Sequence, residues 1–125
     1  MSKHRYSLAS HPEARQRALW LIRDYPHIKA RVDILDGFSS GSSDGGPRST
    51  LPHSSTEDIA LKRAELSGQL DIVDHALAAI PEEYRAAIWE NVQHRTRFPD
   101  TAGLKTWKRW KQRFIYYVAL NAGFI

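Results

Sequence analysis

The sequence predicts an all-α protein. Apolar residues recur at three- and four-residue intervals along most of the chain, which is the repeat of one face of an α-helix. Proline, serine, aspartate and glycine stand at the edges of these segments, where they favour the start or the end of a helix. No segment shows the alternation of apolar and polar residues that is typical of a convincing β-strand.

The N-terminal region is predicted to form a pair of helices. Pro12 suits the first turn of the first helix. Because proline lacks an amide hydrogen and restricts the residue before it, Pro26 is expected to end or kink this helix near Asp24. Asp24 can then cap a second, short helix, which Gly37 is expected to stop.

A flexible linker is predicted at residues 38–55. This segment is rich in serine, glycine and proline and has too few apolar side chains to hold one conformation by burial. The alternative interpretation is a loop that becomes ordered on a partner. The linker separates an N-terminal helical segment, residues 1–37, from a helical domain, residues 56–125.

The helical domain is predicted to begin with a long amphipathic helix that Ser55 or Thr56 caps. Its apolar residues form a heptad-like seam, which predicts packing against another helix: Ile59, Leu66, Leu70, Val73, Leu77 and Ile80. Packing within the chain is favoured over dimerisation because the seam is short, but both remain open.

Two further helices are predicted downstream. Pro81 and the two glutamates after it favour a helix start, and this helix is expected to fade near His94. The segment Phe98-Pro99-Asp100 predicts a turn. The last helix is expected to run from Leu104 or Thr106 to Ala119 or beyond.

Charge is distributed unevenly along the 125-residue chain, whose formal net charge is +4. Residues 1–32 and 94–113 are rich in lysine and arginine, and the second stretch includes Arg95 and Arg97, whereas residues 71–93 are acidic. Segregated charge of this kind creates a surface field that selects binding partners.

The composition argues against several classes of protein. The absence of cysteine excludes disulfides, thiol nucleophiles and cysteine-based zinc sites, and it fits a reducing cytoplasm. No apolar run approaches the roughly 18 residues of a membrane span, and the N-terminus lacks a signal-peptide core. The histidines form no H-x-x-x-H pair, and no phosphate-binding-loop, dinucleotide or nucleophile-elbow motif occurs. We therefore expect a cytoplasmic protein that is not an enzyme, with no metal, cofactor or membrane partner.

The last helix has two chemically different faces when residues 104–121 are placed on a helical wheel. The apolar face is predicted to pack into the core and comprises Leu104, Trp107, Trp110, Phe114, Ile115, Tyr117 and Val118. The other face is basic and comprises Lys105, Lys108, Arg109, Gln112, Arg113 and Tyr116. Lys111 is the single cation within the apolar arc. The basic face is interpreted either as a solvated surface that also meets the acidic helix before it, or as a surface that lies against nucleic acid.

The residues of the C-terminal half resemble a known family. IPEEYRAAIWENVQHR at residues 80–95 and FPDTAGLKTWKRWKQRFIYYVA at residues 98–119 resemble the C-terminal region of the RinA and ArpU-type phage regulators. Further upstream, Asp24-Tyr25-Pro26, the stretch that ends Gly46-Pro47-Arg48-Ser49, and Ser55-Thr56-Glu57 follow the same order as in that family. The resemblance thus covers most of the chain from about Asp24.

The resemblance implies a regulator of phage or prophage transcription with a helix-turn-helix similar to region 4 of sigma-70 factors. It implies that the recognition helix runs from Thr106, as its N-cap, to about Ala119. It also implies double-stranded DNA as the partner, with host RNA polymerase and a homodimer as further candidates, in the cytoplasm of a bacterial host. The candidate DNA-binding residues are Arg95, Arg97, Lys105, Thr106, Lys108, Arg109, Gln112, Arg113 and Tyr116. The chain departs from the pattern in one place, since the segment Phe98 to Gly103 is too short for a full middle helix.

Two alternatives to a regulator remain open from the sequence. The first is a protein-interaction module, in which the seam of the long helix and the linker bind RNA polymerase or a packaging protein. The second is a small terminase-like packaging protein, which would also bind DNA but would assemble into a ring.

Overall fold

Four helices make up the part of the chain that the structure, a computed structural model, describes, namely residues 6–41 and 56–125. No strand occurs in these two ranges, so the all-α prediction is confirmed. In chain order the helices are α1 (Pro12–Gly41), α2 (Thr56–Ala78), α3 (Glu82–His94) and α4 (Leu104–Asn121).

The chain divides into two compact units. One unit comprises Met1–Asp24 with Ile72–Ile125, and the other comprises Tyr25–Asp71. The first unit has a core of large, almost fully buried side chains: Ile22, Val73, Ile80, Ile88, Val92, Trp107, Phe114, Ile115 and Val118. Among the described residues of the second unit, the buried side chains are Ile28, Val32 and Leu66. In this second unit, Arg63 forms an ion pair with Asp36. The hydrogen bond from Arg63 and the positive charge of Arg63 lower the pKa of the Asp36 carboxyl.

The prediction of an N-terminal helical pair is wrong, because α1 continues through Pro26. A proline within a helix leaves the carbonyl four residues earlier without its usual amide donor. Here that carbonyl belongs to Ile22, and the side-chain Nε2 of Gln93 donates a hydrogen bond to it at 2.5 Å. Arg23 Nε donates in turn to the carbonyl of Val92 at 3.2 Å, in the last turn of α3. The helix therefore tolerates Pro26 because a distant side chain supplies the missing donor.

The predicted boundary between the first helices and the linker also shifts. Gly37 lies inside α1, which ends at Gly41 and so extends four positions into the predicted linker. The rest of that linker, residues 42–55, and the proposed cap Ser55 lie outside the described residues. Flexibility of the linker and the domain boundaries therefore stay predictions.

The predicted bounds and seam of the later helices agree well with the structure. Three residues of the predicted seam have buried side chains: Leu66 and Val73 in α2, and Ile80 just after its end. The C-terminus of α2 is capped by Arg85, whose Nε donates to the carbonyl of Ile80 at 2.7 Å and whose Nη2 donates to that of Ala78 at 2.9 Å. The bond to Ala78 satisfies one of the carbonyls that a helix end otherwise leaves without a partner, and the bond to Ile80 holds the turn that follows.

An irregular loop, residues 95–103, joins α3 to α4 and contains no helix. It begins at Arg95, whose backbone is left-handed with φ 57° and whose amide donates to the carbonyl of Asn91. The loop is held to α4 by Trp107, whose Nε1 donates to the carbonyl of Pro99 at 2.9 Å. The ring of Phe98 stacks on that of Trp107 with centroids 5.3 Å apart. A middle helix is thus absent from this loop, as its length predicts.

Candidate nucleic-acid interface

The aromatic face of α4 packs into the core, as predicted. Its buried side chains are Trp107, Phe114, Ile115, Val118 and Ala119. The ring of Tyr84 on α3 meets Trp107 edge-on at 5.1 Å and stacks on Trp110 at 5.8 Å. Burial is the main cause that raises the pKa of the Tyr84 hydroxyl. Leu104 is an exception to the prediction, because it is 58% exposed at the first position of the helix.

The opposite side of α4 carries an exposed basic stripe, which we define as Lys105, Lys108, Arg109 and Gln112. The spacings of three, one and three residues keep these side chains on one face over about 10 Å of helix, at 1.5 Å per residue. No cation of α4 forms an ion pair with a carboxylate of the described residues. The charges of Arg109 and of Glu83 on α3 nevertheless both act on the Tyr84 hydroxyl, so the interpretation that the basic face also meets the acidic helix stays open.

Two predicted contact residues at the end of the basic face are covered by the residues that precede α1, 6–11, which we call the N-terminal segment. The Arg113 guanidinium lies over the ring of Tyr6, 4.2 Å from its centroid, and also 5.0 Å from that of Trp110. Tyr116 meets Tyr6 edge-on at 5.4 Å. Both side chains are half-buried. The structure therefore gives Arg113 and Tyr116 a packing role that their positions on the helical wheel do not reveal.

The remaining candidates lie apart from the basic stripe. Thr106 is half-buried inside the first turn of α4, and the helix is preceded by Gly103, so the prediction that Thr106 is the N-cap is wrong. Arg95 and Arg97 are exposed, but they belong to the loop before α4. Arg95 nevertheless lies near the helix, since its charge helps to lower the pKa of Lys111.

A cleft of about 430 Å³ adjoins the basic stripe. It is formed by the N-terminal segment, the first turns of α1 and the middle of α4, and its lining residues are Ser7, Leu8, Ala9, Arg15, Lys108, Lys111, Gln112 and Ile115. The Gln112 Nε2 donates to the carbonyl of Tyr6 at 3.2 Å and so ties the N-terminal segment to α4. Burial, followed by the charges of Arg15, Arg23 and Arg95, holds the pKa of the Lys111 ammonium below its ordinary value.

Three polar or charged residues of this cleft were not among the predicted site residues: Ser7, Arg15 and Lys111. One signal for Lys111 was present in the sequence, because it is the single cation within the apolar arc of α4. Ser7 and Arg15 could not be found in this way, since they come from the other end of the chain and only the fold brings them to α4.

Comparisons with protein-family models, with curated proteins and with solved structures found no match to this chain. The resemblance to the phage regulators therefore stays a prediction. Among the helices of the described residues, none is long and apolar enough to cross a membrane. Within the same residues, no group of three or more histidine, aspartate or glutamate side chains is arranged to hold a metal ion.

Proposed function

We propose that this protein is a sequence-specific DNA-binding transcriptional regulator of phage or prophage genes, and that the basic stripe of α4 contacts the DNA. The observation that carries the proposal is the division of α4 into a buried aromatic face and an exposed basic face. The exposed cations form no ion pairs with the described carboxylates, which supports a role in binding a polyanion.

The chemistry of the stripe suits DNA. Lysine and arginine side chains bind phosphates, and this contact supplies much of the affinity and its salt dependence. Arginine can also bind guanine through two hydrogen bonds, and glutamine can bind adenine in the same way. An α-helix fits the major groove of B-form DNA, so Arg109 and Gln112 are the two members of the stripe that we assign to base edges.

The regulatory part of the proposal is supported by the resemblance of residues 80–119 to the RinA and ArpU-type regulators. In this view α3 and α4 act as the helix-turn-helix similar to sigma-70 region 4, although the loop between them lacks a middle helix. Host RNA polymerase and a second copy of the chain are the further partners that we propose, inside a bacterial host.

A titration of fluorescent DNA tests this function. The purified full chain is added to a duplex from its own genomic neighbourhood and, in parallel, to a random duplex of equal length, at several salt concentrations. We expect tighter binding to the native duplex and a log–log salt slope of about −0.9 for each phosphate that a cation contacts. Equal, weak binding to both duplexes, or none at moderate salt, would contradict sequence-specific regulation and favour a protein-interaction module.

A further inference from the structure

We propose that the cleft between the N-terminal segment and α4 is a binding site for a phosphate group. The cleft lies wholly within one compact unit, so its walls are formed by residues of a single packed body. Three cationic side chains line it, from two different helices: Arg15 on α1 and Lys108 and Lys111 on α4. None of its lining residues is an aspartate or glutamate.

The cations of this cleft are held together without a described counter-charge. Two arginines of α1, Arg15 and Arg23, and Arg95 of the α3–α4 loop lie close enough to Lys111 for their charges to disfavour the protonated lysine. Repulsion between like charges at this spacing raises the free energy of the protein when no anion is bound. A bound anion would reverse that cost, because it interacts favourably with every member of the cluster.

The donors of the cleft favour phosphate over a carboxylate. Arg15 offers a planar fork of N–H donors, and the two lysines add point charges, which together match an anion with several oxygens and up to two charges. Ser7 Oγ accepts a hydrogen bond from the Ala9 amide at 3.1 Å, which orients the hydroxyl and leaves its own proton to donate. The apolar side chains of Leu8 and Ile115 form the remaining wall, so part of the cleft is shielded from water.

The phosphate can come from two sources with the same chemistry, a free phosphate or the backbone of bound DNA. In the second case the inference rests on the proposed function, because Lys108 and Gln112 belong both to the cleft and to the basic stripe. The two sources are separated by measuring binding of inorganic phosphate in the absence of DNA.

The test uses the full chain and two cleft variants, Lys111→Gln and Arg15→Gln. The control variant is Lys29→Gln, which removes the same charge from an exposed position of α1 in the other compact unit. Circular dichroism and thermal melting first establish that each variant is folded. Inorganic phosphate is then titrated into the wild type and the variants in a buffer without other oxyanions. The pKa of Lys111 is followed by NMR of the lysine side chains.

If a free phosphate is the ligand, phosphate raises the pKa of Lys111 in the wild type. Each cleft variant then binds phosphate about tenfold more weakly, which is the loss expected from one charged hydrogen bond, and Lys29→Gln binds like the wild type. If the ligand is DNA backbone, free phosphate has no effect, and Lys111→Gln lowers the DNA salt slope by about 0.9 while Lys29→Gln does not. The inference is overturned if neither phosphate binding nor the salt slope distinguishes the cleft variants from the control. Phosphate binding without DNA binding would support the cleft and refute the proposed regulator.

Discussion

The two faces of α4 differ in what they contribute to the molecule, although they alternate along the same stretch of sequence. The aromatic face is buried and joins α4 to Tyr84 of α3 and to Phe98 of the loop. The basic stripe is exposed and makes no ion pair with the described carboxylates. An alternation of basic and aromatic residues in a sequence therefore does not by itself indicate stacking on bases. The helical repeat separates the two residue types, so that the aromatic side chains pack into the core and the basic side chains are exposed.

The comparison predicts that changes on one face affect stability and changes on the other affect binding. Lys111 is the position at which this separation is incomplete, because its ammonium group is half-buried among other cations. Arg113 is a second intermediate case, since its guanidinium packs over two aromatic rings.

The largest expected effect comes from Trp107→Ala. This side chain is 2% exposed, stacks on Phe98 and donates a hydrogen bond to the carbonyl of Pro99. Its truncation is expected to cost about 3–5 kcal/mol, a large share of the roughly 5–15 kcal/mol that stabilises a typical domain. Urea denaturation followed by circular dichroism measures this loss.

The matched control for Trp107→Ala is Leu104→Ala, at an exposed apolar position of the same helix. A surface substitution of this kind is expected to change stability by about 0.5 kcal/mol or less. A Trp107→Ala variant that is as stable as the Leu104→Ala variant, yet has lost DNA binding, would mean that the roles of the two faces are reversed.

Lys111→Met is expected to raise the stability of the fold, by less than Trp107→Ala lowers it. The substitution keeps a long apolar side chain and removes the charge that burial and the neighbouring arginines disfavour, so the melting temperature at neutral pH should rise by a few degrees. Folding lowers the pKa of Lys111. At a pH between this lowered pKa and the ordinary lysine pKa, the unfolded chain therefore binds more protons than the folded chain. The free energy of unfolding of the wild type consequently rises with pH through that interval. The advantage of the variant should therefore shrink as pH approaches the ordinary lysine pKa.

Thermal melting of wild type and Lys111→Met at neutral and alkaline pH, in phosphate-free buffer, measures both parts of this prediction. Lys29→Met, which removes a lysine from an exposed position of α1, provides the control. A Lys111→Met variant that melts at a lower temperature than the wild type at neutral pH would show that the lysine stabilises the fold.

Local patterns in the sequence were sufficient for the later helices and for the division of α4 into a buried aromatic face and an exposed basic face. The spacing of apolar side chains and the proline and glycine signals predict α3 and α4 to within a few residues, because these helices follow the local rules. Those rules failed at Pro26, since the donor that replaces its missing amide is the side chain of Gln93. That compensation depends on the tertiary fold, and a residue 71 positions away from Ile22 cannot be inferred from local sequence.

The candidate site shows the same division between local and distant information. The exposure of Lys105, Lys108, Arg109 and Gln112 follows from the helical repeat alone. The partial burial of Arg113 and Tyr116 does not, because the ring that covers them, Tyr6, belongs to the N-terminal segment. The cleft escaped prediction for the same reason, as its walls come from both ends of the chain.

The most direct test of the account is a charge reversal of two exposed residues of the stripe, Lys105→Glu with Arg109→Glu. Arg113 is left unchanged, because its packing over Tyr6 would mix a folding effect with a binding effect. The control is the double variant Lys29→Glu with Arg31→Glu, which makes the same change of charge at exposed positions of α1. Binding of each protein to the native duplex is measured beside its thermal melting. The account predicts that the α4 variant melts like the wild type and loses binding, while the α1 variant still binds; an α4 variant that binds as tightly as the wild type would contradict it.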